Sequence, residues 1–509
     1  MRRDEPLLLG IDLGTSAVKV LSLTPSGKVC GSAEEPCPPD SPHPGWLEVP
    51  PDRWWQATKQ AVSRLFARVP QDRGRVGAVG LSAAFPTLIL FDGRNQPVRP
   101  AILYADQRST EQAEGLACHF GPGEFLRITG NLLVPGNCTL SSLLWVRERE
   151  PETFSRVTAF GYGNSYLGLK LTGQLALDEA SAPLTGLYDL RQGRWSDFLL
   201  AQAGVPRAVL PALMPAGSAV GRLSAEASRE LGLPARIPVA VGSGDTVTSA
   251  LGAGARTDEP FLTCGWTDSL VSVAARPEPV TGFVTTGGAL AGQWLRIGAR
   301  SATGAAASWA AREVLGVSLE RFFRLAAEAP AGANGVLFVP HLAGERTPHW
   351  DPKARGIFAG LTLATTAADI ARAVLEGVSL GVREMLQALA AQVGSAAERV
   401  RAAGGGTRDA FWRQLRADVC GREFLYLHEE ETAALGAALL GGLSAGLITD
   451  PRPPSGGHPV ARAAQEEAGT TRVTPDPEKA QRYCQLADVQ ARVYPTFRSL
   501  LHQRTGAGT

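Results

Sequence analysis

The sequence predicts an α/β protein with two large domains. Its 509 residues exceed what one hydrophobic core usually organises, and 44% of them are apolar, which is ample for packed interiors. A strand–turn–strand pattern opens the chain near residue 7 and recurs near residue 261, so we expect two related halves joined near residues 250–260. We therefore predict a first domain over 1–254, a second over 255–447, and a C-terminal loop and helix over 448–509.

The individual elements follow from local patterns. In the first opening, apolar strands over 7–11 and 18–22 flank a turn of small residues. Helical spacing begins at Pro51, a strand follows over 76–82, and a strand pair is expected from 87–91 and 100–104. Thr366 and Asp369 form a capping-box pattern before a long amphipathic helix. The Pro/Gly-rich run over 451–457 predicts a surface loop, and 478–503 predict a final helix.

The composition of the chain indicates which kinds of molecule the protein binds and where it is located. The chain carries 50 basic and 49 acidic residues without a concentrated basic run, so nothing indicates a surface for nucleic acid or an anionic membrane. Its seven cysteines are dispersed and lack zinc-ligand spacing, which is typical of reduced structural thiols. The apolar run near the N-terminus is interrupted by Asp12, and no stretch is long enough to span a bilayer. We predict a cytoplasmic protein whose partners are small molecules.

Several common enzyme classes lack their motifs here. The first strand is not followed by G-x-G-x-x-G, and no G-x-x-x-x-G-K-[ST] run opens the chain, which disfavours a Rossmann dehydrogenase or a P-loop enzyme. No G-x-S-x-G run stands at a candidate nucleophile elbow, and no pair of histidines has metal-ligand spacing, which disfavours hydrolases and metalloenzymes. We interpret His341 and His349 as structural or cleft-lining residues.

The turn after the first strand suits phosphate chemistry. Asp12 stands at the strand end, and the backbone N–H groups of Gly14, Thr15 and Ser16 are able to approach phosphate oxygens closely. A carboxylate in that position is suited to Mg²⁺, usually through water. The competing interpretation is a plain β-turn.

Two later motifs fit the same chemistry. Asp245 projects from the glycine-rich end of the strand over 237–241, where a carboxylate is suited to accept a proton from a sugar hydroxyl during phosphoryl transfer. Its alternative is an Asx-turn or a helix N-cap. The glycines at 404–406 precede a helical run and offer a flat surface for a nucleotide ring, with a flexible turn as the alternative.

Taken in order, these elements resemble the FGGY carbohydrate kinase family over about residues 7–446. The most specific passage reads GERTPHWDP at 344–352, followed by Ala354, Arg355 and Gly356. The runs PGWLE at 44–48 and RPAIL at 99–103 are most similar to the xylulokinase branch. The resemblance implies two ribonuclease-H-like (actin-like ATPase) domains with a cleft between them, the sugar on the first domain and ATP mainly on the second. It also implies a possible homodimer.

The resemblance assigns roles to individual residues. Asp245 would be the catalytic base and would touch the substrate, and Asp12 would hold Mg²⁺. The predicted substrate-binding residues besides Asp245 are Phe85, Pro86, Asp106 and Arg108. The predicted ATP-binding residues are Gly14, Thr15, Ser16, Gly265, Thr267, Gly404, Gly405, Gly406 and Arg408.

Two departures from the family pattern concern the substrate. Residues 82–87 read SAAFPT where xylulokinases carry a Met-His pair, so Phe85 and Pro86 make the predicted sugar pocket more apolar. The second phosphate turn carries Trp266 where the family usually has Thr, and this ring is expected to crowd or reshape the γ-phosphate site. The expected activity is ATP-dependent phosphorylation of a ketopentose such as D-xylulose.

Three alternatives remain open from the sequence. The first is a kinase for ribulose, gluconate, glycerol or another polyol. The second is a catalytically inactive sugar-binding member, against which the retention of Asp12 and Asp245 argues. The third is a structural actin-like or chaperone-type ATPase, since fold alone does not determine function.

Overall fold

The structure, a computed structural model, describes residues 5–394, 396–450 and 469–505. The loop predicted over 451–457 lies outside the described residues. Within them, no helix is long and apolar enough to cross a membrane. The final helix, predicted over 478–503, is observed over Pro477–Thr505, which confirms it.

The first half of the chain alternates strands and helices. Its strands are β1 (Leu7–Leu13), β2 (Ala17–Leu23), β3 (Val29–Pro36), β4 (Glu48–Val49), β5 (Val76–Ala83), β6 (Ile89–Phe91), β7 (Ala101–Ile102), β8 (Ala159–Gly161), β9 (Leu177–Asp178), β10 (Tyr188–Asp189), β11 (Arg194–Trp195), β12 (Leu213–Met214), β13 (Ala219–Arg222), β14 (Pro238–Ala240) and β15 (Ser243–Gly244). Its helices are α1 (Pro51–Arg68), α2 (Pro70–Arg73), α3 (Thr110–Thr129), α4 (Thr139–Arg149), α5 (Pro151–Phe154), α6 (Gly163–Thr172), α7 (Asp197–Ala203), α8 (Ala225–Leu231) and α9 (Asp245–Gly252).

The second half repeats the alternation. Its strands are β16 (Phe261–Cys264), β17 (Asp268–Ala274), β18 (Val284–Gly287), β19 (Trp294–Arg300), β20 (Leu337–Val339), β21 (Ile357–Ala359), β22 (Arg399–Ala403), β23 (Glu423–Leu427) and β24 (Thr470–Val473). Its helices are α10 (Gly304–Trp309), α11 (Leu319–Glu328), α12 (Ala367–Val393), α13 (Ala410–Cys420), α14 (Thr432–Ser444) and α15 (Pro477–Thr505). The capping box predicted from Thr366 and Asp369 is present at the start of α12.

Each half contains a seven-stranded sheet, and the two sheets share a plan. In the first, β3, β2 and β1 are antiparallel neighbours, and β5 and β14 continue the sheet in parallel to β1. In the second, β19, β17 and β16 are antiparallel, and β22 and β23 continue in parallel to β16. The repeated order confirms the predicted α/β fold of two ribonuclease-H-like domains.

One predicted pairing differs in detail. The strands expected over 87–91 and 100–104 meet only at the bridge between Leu88 and Ile102. Beyond that bridge, β6 pairs with β8 and β7 pairs with β4. The local pattern predicted both strands, but their partners come from distant parts of the chain.

Helix α14 belongs to the second half in sequence but packs on the first sheet. A Cβ atom on Gly10 of β1 would lie 1.9 Å from the carbonyl oxygen of Ala434, and one on Gly80 of β5 would lie 1.7 Å from that of Ala437. Gly436 of α14 approaches α9 as closely, since its Cβ would lie 1.9 Å from Thr248 O. These glycines let α14 lie against β1, β5 and α9 at backbone distance. The predicted boundaries at 254 and 447 stay predictions.

Replacing Gly80 with Ala should therefore destabilise the protein. The added methyl group overlaps a helix carbonyl, so α14 or β5 has to move, and such overpacking costs about 1–3 kcal/mol or more. Urea unfolding followed by circular dichroism measures the loss. Gly74→Ala is a matched control, because Gly74 has helical dihedral angles and a Cβ there would have no heavy atom within 4 Å apart from those of its two chain neighbours. An unchanged midpoint for G80A would contradict the close packing of α14.

Candidate active site

Asp12 lies at the end of β1, where the first sheet holds its carboxylate from the side. Asp12 is the register neighbour of Ser82 on β5, and the Ser82 hydroxyl donates to Asp12 Oδ1 over 2.7 Å. The Ser82 oxygen is also 2.8 Å from the hydroxyl of Thr248 on α9. Burial raises the pKa of Asp12 to about 6, against the lowering effects of Ser82 and Lys19. The turn that follows β1 contains Gly14, Thr15 and Ser16.

Asp245 is the first residue of α9 and lies beside Asp12 at the same edge of the sheet. The preceding strand β15 pairs with the end of β5, placing Ser243 opposite Ser82. The Ser243 hydroxyl donates to the buried carboxylate of Asp178 over 2.6 Å, which holds this strand in place. Burial, and then the charge of Asp12, raise the pKa of Asp245 to about 7.

The hydrogen bonds that stabilise the ionised form of Asp245 come from the next residue, Thr246. Its Oδ1 accepts from the backbone N–H of Thr246 over 2.6 Å and from the Thr246 hydroxyl over 3.2 Å. A carboxylate with a pKa near neutrality beside a second carboxylate is typical of a general acid or base. Chemically, this arrangement is able to hold a cation between two acids or to take a proton from a bound hydroxyl.

The second domain presents a matching turn at residues 265–267, between β16 and β17. Asp268 anchors it, since its Oδ1 accepts from Gly265 N over 3.3 Å and from the Thr303 hydroxyl over 2.9 Å. The other Asp268 oxygen lies 2.9 Å from Nη2 of the fully buried Arg416. Trp266, at the tip of the turn, leaves 67% of its surface exposed.

The glycine turn at 404–406 follows β22 and lies directly beside that hairpin. Gly404 has a φ of +109°, and a Cβ there would lie 2.5 Å from Cys264 O, so only glycine fits without strain. Gly405 has open space around its Cα, and Gly406 packs against Cys264. Arg408 forms an exposed, two-pronged ion pair with Glu430.

These elements surround one cavity of about 720 Å³ between the two domains. It brings together the majority of the predicted residues: Asp12, Gly14, Thr15, Ser16, Phe85, Pro86, Asp245, Gly265, Thr267, Gly404 and Gly405. Gly406 and Arg408 are not among the residues that line it. A depression of about 880 Å³ elsewhere on the second domain, between α12 and β23, contains none of the predicted residues.

Asp106 and Arg108 do not line this cavity. The Asp106 carboxylate accepts from Leu47 N over 2.6 Å and from the Arg108 guanidinium over 2.7 and 2.9 Å. Arg108 also contacts Glu48 and lies over the ring of Trp46, 3.9 Å from its centroid. Both side chains are buried and fully engaged in supporting the first domain, so their predicted contact with sugar stays a prediction.

Sequence reasoning missed several residues in the cavity wall. Lys19 lies opposite Asp12 in the β1–β2 pair and forms a 2.8 Å ion pair with Glu431. Tyr104 and Asn137 come from loops of the first domain. Other missed residues include Thr246, Ser249, Arg346, Trp350, Glu430 and Thr432. A signal existed for Arg346 and Trp350, because both belong to the recognised passage at 344–352.

The same passage explains the two histidines. His341 Nδ1 lies 2.9 Å from Glu345, and the same Glu345 oxygen pairs with the buried Arg300 at 2.8 Å. His349 pairs with Glu384 at 3.0 Å. Both histidines therefore belong to an ionic network that supports the loop carrying Arg346.

Comparisons with known proteins cover both halves of the chain. The N-terminal domain model of the FGGY family of carbohydrate kinases matches residues 7–252, and the C-terminal domain model matches 263–445. The chain is 33% identical to the xylulose kinase of Escherichia coli K12 over 446 residues, covering 86% of this chain and 90% of the relative. It is 32% identical to a glycerol kinase of Gloeobacter violaceus, covering 87% and 89%.

A solved structure shows the same fold. The crystal structure of xylulose kinase from Rhodospirillum rubrum superimposes with a TM-score of 0.87 at 29% identity, covering 97% of this chain and all of that one. Both domain models, the sequence relatives and the shared architecture lead to one conclusion: the chain belongs to the FGGY family of carbohydrate kinases.

Proposed function

We propose that this kinase transfers the γ-phosphoryl group of ATP to a hydroxyl of a ketopentose such as D-xylulose, with Asp245 as the general base. The observation that carries the proposal is that Asp245 lines the same cavity as Asp12 and as the turns at 14–16 and 265–267, called here the two phosphate-type turns. The similarity of the chain to xylulose kinases over most of its length supports a ketopentose as the substrate.

The mechanism follows from what surrounds Asp245. A sugar hydroxyl within hydrogen-bond reach of this carboxylate loses its proton to Asp245 as its oxygen attacks the γ-phosphorus. The backbone N–H groups of the turns at 14–16 and 265–267 are suited to phosphate oxygens, because small residues let the backbone approach closely. The open face of Gly405 is the proposed floor for the adenine ring.

Asp12 is the proposed ligand of Mg²⁺. One of its oxygens already accepts from Ser82, and the neighbouring Asp245 adds a second negative charge, so the donor set fits a hard dication. Bound Mg²⁺ would supply charge neutralisation for the phosphates of ATP. Mg²⁺ commonly uses one or two carboxylates together with substrate phosphates, which agrees with the limited protein ligands here.

The pH dependence of catalysis should report the Asp245–Asp12 pair. Asp245 accepts a proton only when ionised, and its pKa is raised to about 7. We therefore expect kcat/KM for the sugar to rise with pH up to about neutrality and then level off, with a tenfold loss for each pH unit below the apparent pKa. Initial rates from pH 5.5 to 9 measure this. A flat profile down to pH 5.5 would contradict the proposed base.

The sugar itself is open to one specific alternative. Phe85 and Pro86 lie in the cavity wall, so this part of the pocket offers apolar contacts and no hydrogen-bonding side chain. A site lacking a polar partner discriminates weakly among substrates that differ there. Together with the similarity to a glycerol kinase, this favours a polyol as the second candidate.

The test is ADP release with MgATP against pentuloses, hexuloses, polyols, aldonates and glycerol, each compared with the rate without sugar. A strong response to D-xylulose supports the proposal, and a strong response to glycerol alone supports the alternative. If calorimetry detects sugar binding but no sugar stimulates ADP release, the protein is an inactive sugar-binding member. The possible homodimer and the predicted cytoplasmic location stay untested beside this proposal.

A further inference from the structure

Trp266 is unusual among the tryptophans of this protein. Trp54, Trp55, Trp145 and Trp412 each leave less than a tenth of their surface exposed, whereas Trp266 leaves 67% exposed. It also lies in the wall of the cavity between the two domains. An aromatic ring of this size in a ligand cavity indicates a contact that forms when the cavity is filled.

The backbone beneath the ring is firmly held. Trp266 O accepts from Thr303 N over 3.2 Å and from Ala305 N over 3.1 Å, and Gly265 O accepts from Gly304 N over 3.1 Å. A Cβ on Gly304 would lie only 2.4 Å from Gly265 O, so α10 lies against the hairpin at backbone distance. These contacts tie the backbone of the hairpin to α10, so the position of Trp266 is supported by the second domain.

The ring is also the one bulky group in the two phosphate-type turns. The opposite turn contributes Gly14, Thr15 and Ser16 to the same cavity, and the neighbours of Trp266 are Gly265 and Thr267. Small residues allow phosphate oxygens to reach backbone N–H groups, and a large indole adds nothing to that function. It does add a broad apolar surface beside the place where the γ-phosphate would lie.

We propose that Trp266 covers the γ-phosphoryl group of bound ATP and keeps water from attacking it. This inference rests on the proposed kinase function. In the wasteful reaction a water oxygen bonds to the γ-phosphorus, the bond to the bridging oxygen of ADP breaks, and the water proton passes to solvent. A sugar kinase has to favour the sugar hydroxyl over water, and an apolar cover beside the γ-phosphoryl group excludes water from it.

The test compares Trp266→Thr with Trp266→Phe, which keeps an aromatic cover. For each protein, ADP release and sugar phosphate formation are measured together, and their ratio gives the ATP consumed for each sugar phosphorylated. We expect W266T to raise this ratio on the order of tenfold and W266F to raise it less than about twofold, with little change in KM for ATP. Leu363→Thr is the control, because Leu363 is a fully exposed apolar residue away from the cavity.

An unchanged ratio for W266T would overturn the inference. A large rise in KM for ATP with an unchanged ratio would also overturn it, because Trp266 would then be a nucleotide-stacking residue. If the wild-type protein shows no sugar-stimulated ADP release at all, the proposed function fails instead.

A second readout does not depend on turnover. The difference between wild-type and W266F fluorescence isolates the emission of Trp266, and acrylamide quenching of that emission measures its exposure. We expect the β,γ-imido analogue of ATP with Mg²⁺ to reduce quenching about twofold or more, because the phosphates and the opposite turn then cover the ring. Equal quenching with and without the analogue would contradict the proposed cover.

Discussion

Asp245→Asn should lower turnover by about two to four orders of magnitude while sugar binding changes little, because the amide retains the shape of the carboxylate but does not accept the proton. Coupled ADP release measures turnover, and calorimetry measures the affinity for the sugar. The loss is expected in kcat, since the hydroxyl must lose its proton in the transition state and not on binding.

The pH dependence of stability distinguishes a loss of turnover caused by the missing base from one caused by unfolding of the variant. The folded protein binds the Asp245 proton more tightly than the unfolded chain, because the pKa is raised from 3.8 to about 7. The stability contributed by this group therefore falls as pH rises through that window, and ionised Asp245 opposes folding above it. Asp245→Asn should unfold at the same or a higher urea concentration than the wild type at pH 8.

A matched substitution completes the design. Asp197 is an exposed acid paired with Arg207 on the surface, and Asp197→Asn should leave turnover unchanged. If D245N kept near-normal turnover, another group would have to be the base. If both variants lost turnover equally, the effect would be unrelated to the cavity.

The second large effect concerns Arg416, whose removal should destabilise the protein by about 3–5 kcal/mol, because Asp268 then remains as a buried charge without its partner. Arg416 is fully buried, lies 2.9 Å from Asp268 Oδ2, and contacts Cys264 Sγ at 2.6 Å. Its guanidinium also lies over the ring of Trp412, 4.4 Å from the centroid. Arg416→Met keeps an unbranched apolar side chain in place of the stem of Arg416 and removes the guanidinium, so urea unfolding of this variant chiefly reports the loss of the charge.

Two further variants test whether the unpaired charge of Asp268 causes the loss of stability. Adding Asp268→Asn to Arg416→Met removes the stranded charge, and this double variant should recover part of the lost stability. Arg408→Met breaks the exposed pair with Glu430 and should cost no more than about 1 kcal/mol. A double variant less stable than Arg416→Met alone would contradict the charge explanation.

Asp268 connects this buried pair to the cavity. Its Oδ1 accepts hydrogen bonds from Gly265 N and from the Thr303 hydroxyl. The buried ion pair between Asp268 and Arg416 therefore also supports the turn that carries Trp266. No local pattern pairs Asp268 with Arg416, because their partnership spans distant parts of the chain. Only the packing of α13 against β16 and β17 brings them together.

The sequence by itself determined the local elements and the chemistry of the cavity. The two strand–turn–strand openings, the capping box at Thr366 and the carboxylates Asp12 and Asp245 were all predicted, because they depend on residues close together in the chain. The cavity indeed contains Asp12 and Asp245 together with both turns. The order of these motifs was also enough to indicate the FGGY family.

The tertiary structure alone decided what each side chain faces. Asp106 and Arg108 follow a strand end, as many cleft residues do, but Glu48 and Trp46 draw them into the interior of the first domain. Helix α14 lies on the first sheet because Gly10 and Gly80 leave room for it, a contact between segments more than 350 residues apart. The burial of these side chains and the position of α14 depend on packing between segments far apart in the chain. Patterns among neighbouring residues of a single sequence do not predict such packing.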